Sequence, residues 1–269
     1  MTLPSVDELH NAYDLQVRRN TAPDGSGATA DAAPTFVRWA ANNGLGWSEI
    51  SWSALDEENA SDVINKHIDF FRDRGQSFVW RVQDNDQPSD LGARLLEAGF
   101  SFSATSAVMV AAAASLSVPA ALPEGTELVH VTDQQGVDLL IETHEKVFGH
   151  SHQELRRSIL ARLENAPLES EMFVVTAEGA PIASARIEFL PQRDFATLWG
   201  GGTMPDWRGR GIYKALVAQR AHAAIARGYK YLTVLASDQS RPILNRLGFV
   251  VISNVSTYIW EPPSATVRE

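Results

Sequence analysis

Apolar and polar residues alternate most regularly over residues 182–189, where Ala183, Ala185, Ile187 and Phe189 fall on one face and Ser184, Arg186 and Glu188 on the other. That two-residue period predicts a strand with one face in a core. Residues 172–177 form a second apolar, β-branched run, and Glu178-Gly179-Ala180-Pro181 between the two predicts a hairpin turn. Upstream, 127–131 reads as a strand. Thr132 with Gln135 reads as a capping box that opens a helix over 136–148, and a further helix is expected over 153–164. Downstream the pattern predicts a strand at 195–199, a long helix over 212–227, a strand at 231–235, a short helix at 241–247 and a last strand at 257–260.

The earlier part of the chain carries a weak copy of that ending. A strand at 78–82, a helix over 89–98, Gly99-Phe100 and a strand at 107–110 parallel the later strand, helix, Gly248-Phe249 and strand. Leu95 and Leu244 each stand four residues before the glycine. Between the copies lies an Ala, Ser and Pro stretch, 111–123, which fits a linker or a continuation of the preceding strand. The resulting division is 1–115, a linker at 116–122, 123–262 and a tail at 263–269. Residues 20–34 are loop-like in composition.

Composition narrows the function classes. The 269 residues carry 23 Lys and Arg against 33 Asp and Glu, a formal charge of -10, with no basic block, so nucleic acid is not an expected partner. There is no cysteine, which excludes disulfides, thiolate metal sites and a Cys nucleophile. No stretch has the length of a membrane span and the N-terminus has no signal-peptide pattern, so a cytoplasmic protein with no membrane partner is expected. His150-x-His152 has no third ligand nearby, and no metal is expected.

The candidate chemistry sits in Asp206-Trp207-Arg208-Gly209-Arg210-Gly211-Ile212-Tyr213, a Gly-rich turn between a strand and a helix. Glycines let backbone N–H groups turn inward, and the helix directs its positive dipole end at the same point, so the turn suits a pyrophosphate. A dinucleotide fingerprint would need a third glycine and an acid after the next strand, where Ala236-Ser237 stands. An NTPase phosphate loop would need Gly-Lys followed by Ser or Thr, which is absent. Glycines serving only tight helix packing remain an alternative.

Arg208-Gly209-Arg210-Gly211 resembles the Arg/Gln-x-x-Gly-x-Gly/Ala signature of the GNAT superfamily of N-acetyltransferases, and the order of elements from Pro123 to Pro262 is similar to that family's cofactor-binding half. The resemblance implies an α/β (α+β) fold of two GNAT-like domains, each a mixed, mostly antiparallel sheet flanked by helices. The first would be degenerate, since Ser53-Ala54-Leu55-Asp56-Glu57-Glu58-Asn59 replaces the cofactor turn with acids. It implies acetyl-CoA as cofactor, with the diphosphate on Arg208, Gly209, Arg210, Gly211, Ile212 and Tyr213, and the pantetheine arm on Gly201, Gly202 and Thr203. Arg241 is a candidate for the adenosine phosphate or a helix cap.

Two positions depart from the family pattern. Tyr213 fills the sixth place of the motif, normally Gly or Ala, so its ring must point away from the diphosphate. Leu244 stands where members often carry a Tyr that protonates the leaving thiolate. The strand that would carry the family's carboxylate base ends Leu198-Trp199-Gly200-Gly201-Gly202-Thr203 without one, which leaves Glu188 as the candidate general base, or a solvated residue paired with Arg186. His144, His150 and His152 lie by the expected acceptor side. Trp39, Trp47, Trp52 and Trp80 are candidates for an aromatic acceptor wall or for core. The expected activity is acetyl transfer from acetyl-CoA to a primary amine of a small molecule by direct attack. The alternatives are a non-catalytic acyl-CoA sensor and a mycothiol-synthase-like acetyltransferase. The sequence sets no oligomeric state.

Overall fold

The computed structural model describes residues 3–116, 121–149 and 151–263. His150, most of the predicted linker (117–120) and most of the predicted tail (264–269) lie outside the described residues. The first half runs α1 (Val6–Tyr13), a π-helical turn (Asp14–Arg18), β1 (Thr29–Ala33), β2 (Phe36–Ala40), β3 (Glu49–Ser53), α2 (Ala60–Arg72), β4 (Phe78–Gln83), α3 (Leu91–Glu97) and β5 (Ser101–Ala112). The second runs β6 (Thr126–His130), α4 (Gln134–Phe148), α5 (Gln153–Asn165), β7 (Ser170–Ala177), β8 (Ala180–Phe189), β9 (Phe195–Thr203), α6 (Ile212–Ala226), β10 (Tyr231–Ala236), α7 (Arg241–Arg246) and β11 (Val250–Trp260).

All the strands join one mixed, mostly antiparallel sheet in the order β1-β2-β3-β4-β11-β5-β10-β9-β8-β7-β6. The halves exchange their last strands. β5 pairs with β10 of the second half, Tyr231 opposite Ala112, while β11 pairs with β4 of the first, Trp260 opposite Phe78. β5 and β11 then pair with each other at the centre. The repeat seen in the sequence therefore becomes an approximate two-fold, β4-α3-β5 against β10-α7-β11, and Leu95 and Leu244 are both fully buried.

Each half has one parallel strand pair that soon parts. β9 and β10 keep register only from Phe195 opposite Tyr231 to Thr197 opposite Thr233. β3 and β4 keep it only at Glu49 opposite Val79 and Ile50 opposite Trp80. Beyond these pairs the facing edges of the two strands part, while each strand keeps its antiparallel neighbour on the other side.

In the second half α6 packs its apolar face on Ala183, Ala185, Ile187 and Phe189, the face read from the alternation of β8. On the opposite face of the sheet α4 and α5 bury Val137, Leu140, Ile141 and Ile159 against Met172 and Val174 of β7. The first-half core packs α2 and α3 on Ile50, Phe78, Trp80 and Trp260.

Three local expectations are corrected. Residues 20–34 are not all loop: Thr29–Ala33 forms edge strand β1 because β2 offers its backbone, a pairing that composition does not report. Asp133, not Thr132, caps α4, its carboxylate accepting from Gly136 N at 2.8 Å, so the cap lies one residue later than expected and the helix begins at Gln134, ahead of the expected 136. The central strands are also much longer than the apolar runs 107–110 and 257–260, because residues 101–105 pair with β11 while their side chains stay exposed.

Candidate active site at the parting of β9 and β10

The end of β9, the turn after it and the start of α6 wall a cleft of about 520 Å³. Gly209 (φ 76°) and Gly211 (φ 86°) both occupy left-handed backbone, which strains any other residue, and a Cβ on either would meet nothing within 4 Å. Gly211 is the N-cap of α6 and supplies no side-chain cap, so the first N–H groups of the helix are left for another acceptor. Gly201, Gly202, Thr203, Arg208, Gly209, Gly211, Ile212 and Tyr213, the candidate cofactor-binding residues, all line the cleft. Arg210 does not: its guanidinium lies 4.5 Å from the Trp207 ring and donates to Asp206 O. Arg208 Nε donates to Thr203 O at 3.1 Å, tying the turn to β9. Arg241 is exposed at the start of α7. An open, N–H-rich cradle with no side chain in it fits the diphosphate of CoA.

Tyr213 answers the steric question raised by the motif. Its ring turns under β9, where Cε2 would be 3.2 Å from a Cβ on Gly201, and its hydroxyl hydrogen-bonds Ser240. Burial pushes the phenol up, while Arg220 and the Ser240 hydrogen bond oppose the shift. Leu244, at the usual Tyr position, is sealed in the core and cannot reach the cleft.

Beside Tyr213 lies Arg220, 2 % exposed on the inner face of α6. Nε donates to Leu216 O at 2.9 Å and Nη1 to Arg186 O at 3.5 Å, while buried Nη2 has no hydrogen-bond partner among the described residues. Burial lowers its pKa to about 10, with Tyr213 opposing. A lone arginine among Leu216, Val217 and Ala221 was visible in the sequence, and a charge at a core position of a helix is the sign that would have found it.

The three glycines of β9 are held between two helices. A Cβ on Gly200 (φ 56°) would lie 2.5 Å from His144 Nε2 of α4, and one on Gly202 would lie 2.8 Å from Val147 Cγ1. Gly201 faces the other way, toward Tyr213 and Arg220. His144 thus meets the strand from the α4 face and Tyr213 from the α6 face. His152 packs edge-on against His144 at 5.2 Å.

On the α4 and α5 face a second cavity, of about 340 Å³, opens between the halves. Trp47, Glu49 and Arg81 come from the first half, and Ser170, Arg186, Glu188 and Trp199 from the second. A smaller neighbouring cavity of about 120 Å³ shares Trp47, Glu49, Arg81, Glu188 and Trp199 with it. Of the predicted aromatic wall, Trp80 is core, Trp39 stacks on Trp47 at 5.3 Å, and Trp52 lies under Arg19.

Glu188 is in this chamber, but not as a free base. Its Oε1 accepts from Arg162 Nη1 at 2.6 Å and from Arg186 Nε at 3.1 Å. Burial pushes the carboxyl up, yet the two guanidiniums outweigh it and hold it below the usual carboxylate range. A carboxylate so held takes a proton poorly, so the geometry makes Glu188 an ionic anchor rather than a base. The sequence showed Arg186 as its neighbour; Arg162, which also pairs with Asp24, reaches it only through the tertiary fold. No group of three metal-ligating side chains is found among the described residues, and no helix among them is long and apolar enough to cross a membrane.

Comparison with known proteins agrees with the fold. Residues 135–249 match the acetyltransferase (GNAT) family. No functionally curated protein matches the chain. Among solved structures, a GCN5-related N-acetyltransferase from Kribbella flavida is similar over 98 % of both chains at 14 % identity, with a TM-score of 0.69. A tandem GNAT protein from the clavulanic acid biosynthesis pathway is similar over 96 % of this chain and 95 % of its own at 13 % identity, TM-score 0.61. A GCN5-related N-acetyltransferase from Sphaerobacter thermophilus covers 87 % of this chain and 82 % of its own at 17 % identity, TM-score 0.57. At such identities the likeness is one of fold. Residues 135–249 are thus an acetyltransferase (GNAT) domain by their family match, and the whole length has a fold similar to that of GCN5-related N-acetyltransferases.

Proposed function

We propose that the chain is an acyl-CoA dependent N-acyltransferase that moves an acetyl group from acetyl-CoA to a primary amine of a small molecule. One observation carries the reading: the cofactor-shaped cleft is walled by Gly201, Gly202 and Thr203 of β9, beyond its parting from β10, and the chamber between the halves is lined by Trp199 of the same strand. Acetyl-CoA supplies the acyl thioester. Arg208 and the amides of residues 209–213 hold the diphosphate, and Gly201, Gly202 and Thr203, on the edge of β9 that has parted from β10, hold the arm. His144, on the acceptor side of β9, takes the proton the amine must lose. Tyr213, on the cofactor side and oriented by Ser240, delivers a proton to the departing sulfur in place of the residue missing at Leu244.

The first half acts as a wall of the acceptor chamber and binds no cofactor of its own. Where β3 and β4 part, the chain places Arg18, whose Nε donates to Ser51 O at 3.1 Å while its Nη atoms reach Asp86 at 3.0 and 2.6 Å. The gap that is open between β9 and β10 is therefore bridged between β3 and β4 by the protein's own side chain.

Release of free CoA thiol from acetyl-CoA, followed with a panel of amines, tests the activity. Turnover is expected, while tight CoA binding without turnover across a wide panel would make the protein a sensor instead. Gly211→Glu puts a strained residue and a negative charge in the cradle, and CoA affinity should fall at least about a hundredfold, the scale of a charged, unpaired contact. Calorimetry of CoA binding that found unchanged affinity would remove this turn from the site.

A further inference from the structure

The acceptor chamber holds buried donors that the protein leaves without acceptors. Arg186 and Arg162 share a single oxygen, Glu188 Oε1, and Arg162 has a second carboxylate in Asp24. Among the described residues Arg186 has one ion-pair partner, Glu188, bound through Nε, and its guanidinium lies 5.8 Å from the Trp199 ring. Burial and the nearby Arg162 lower its pKa despite Glu188, as expected of an undercompensated cation. Trp199 stands opposite Arg186 in the β8–β9 register, and its Nε1–H is buried without a partner among the described residues. Ser170 Oγ, opposite Glu188 on β7, is likewise buried and without one. All three line the 340 Å³ chamber.

Buried donors of this kind are costly unless something accepts from them. The carboxylates of the chamber cannot serve as a cation site: Glu49 is paired with Arg81 at 2.8 Å, Glu188 holds two arginines, and Glu154 is exposed on the rim. A polyamine or amino-sugar with several ammonium groups would meet arginine here rather than acid.

Arg186 also reaches the transfer point. A Cβ on Gly200 would lie 3.3 Å from Arg186 Nη1 and 2.5 Å from His144 Nε2, so the guanidinium and the imidazole meet over the same spot of β9. An amine whose carboxylate sits on the neighbouring carbon would span that arrangement. Its side chain would then face Trp47, Leu155, Ile159 and Met172, an apolar and aromatic wall.

We infer that the acceptor is an α-amino carboxylate with an apolar or aromatic side chain, its carboxylate received by Arg186 and Trp199 and its amine presented to β9 beside His144. This rests on the acyl-transfer reading above and names the substrate class of that site.

The test compares L-phenylalanine and L-leucine with phenethylamine and isoamylamine, which lack only the carboxylate, and with the amino acid amides. Two readouts are taken: thiol release with acetyl-CoA, and binding of each compound to the protein alone by tryptophan fluorescence. The carboxylates should exceed their decarboxylated partners by about tenfold or more in both, as a charge-assisted hydrogen bond predicts. Arg186→Gln should bring the pairs to parity while CoA affinity stays unchanged. Trp199→Phe, which leaves the ion cluster intact, should cut the preference about twofold to tenfold and serves even if Arg186→Gln fails to fold. Equal or better binding of the plain amines to the wild type, or a preference that survives both variants, overturns the inference. Absence of turnover with every amine would sink the acyl-transfer reading, while the fluorescence comparison would still decide the carboxylate site.

Discussion

Replacing Glu188 by Gln separates an ionic anchor from a general base. The variant keeps shape and volume but removes the one carboxylate that Arg162 and Arg186 share, in a cluster whose side chains are 8, 14 and 16 % exposed. Removing one member of a buried ion pair costs about 3–5 kcal/mol, because a buried charge is left without a partner. Arg162 keeps Asp24, so the lower end applies, about 3 kcal/mol, or a fall in Tm of roughly 6–12 °C for a chain of this size. The pH dependence follows from the direction of the shift. A carboxyl held below its ordinary value of 4.5 contributes stability in full above that value and loses it as pH falls through the folded pKa. The gap between wild type and variant should therefore be flat from neutral pH down to about 5 and close only in stronger acid. Thermal melts by circular dichroism across pH, with thiol-release kinetics below the melting range, give both quantities. As an anchor, Glu188→Gln should leave the shape of the pH–rate profile unchanged. A variant that melts within about 1 kcal/mol of wild type, yet loses a hundredfold in kcat together with the acidic limb of the profile, would refute the anchor and restore Glu188 as the base.

Tyr213→Phe keeps the ring packed under Gly201 and removes only the hydroxyl, so kcat should fall about a hundredfold and the alkaline limb of the pH–rate profile should shift or vanish, with CoA affinity unchanged. Arg220→Met removes a buried cation that has no counter-charge among the described residues, so Tm should hold or rise while CoA affinity or kcat drops; parallel loss of both would make Arg220 a structural residue. His67, 1 % exposed, has its pKa lowered to about 3 by burial and by Arg38, so it stays neutral when folded but charges when unfolded. It should therefore cost stability as pH falls from 6.5 towards 3, and His67→Leu should flatten the wild-type decline in urea-denaturation midpoints over that range.

Much of the cleft around the Gly-rich turn was legible because its cues are local. The glycines at 209 and 211 are needed for left-handed backbone at those very positions, and the helix after them begins at Ile212 as its pattern predicts. The same holds for β8, whose alternation assigns Ala183 to Phe189 to the core and Arg186 and Glu188 to the opposite face without reference to any other element. The acceptor side was not legible, because its groups act through partners distant in sequence. Glu188 reads as a free strand carboxylate until Arg162 of α5 is folded against it, and the direction of its pKa is set by that contact.

What the amino-acid order determined by itself is periodicity, turn chemistry and the repeated strand–helix–Gly-Phe–strand unit, since each depends on neighbours within a few residues. What only the tertiary structure decided is how the two copies combine. Strand pairing is a long-range choice, and exchanging β5 with β11 satisfies the backbone of both halves in one continuous sheet. That exchange sets the chamber between the halves and brings Trp47 and Arg81 into one lining with Arg186 and Trp199, while β9, parted from β10, runs on to wall the cleft with Gly201, Gly202 and Thr203.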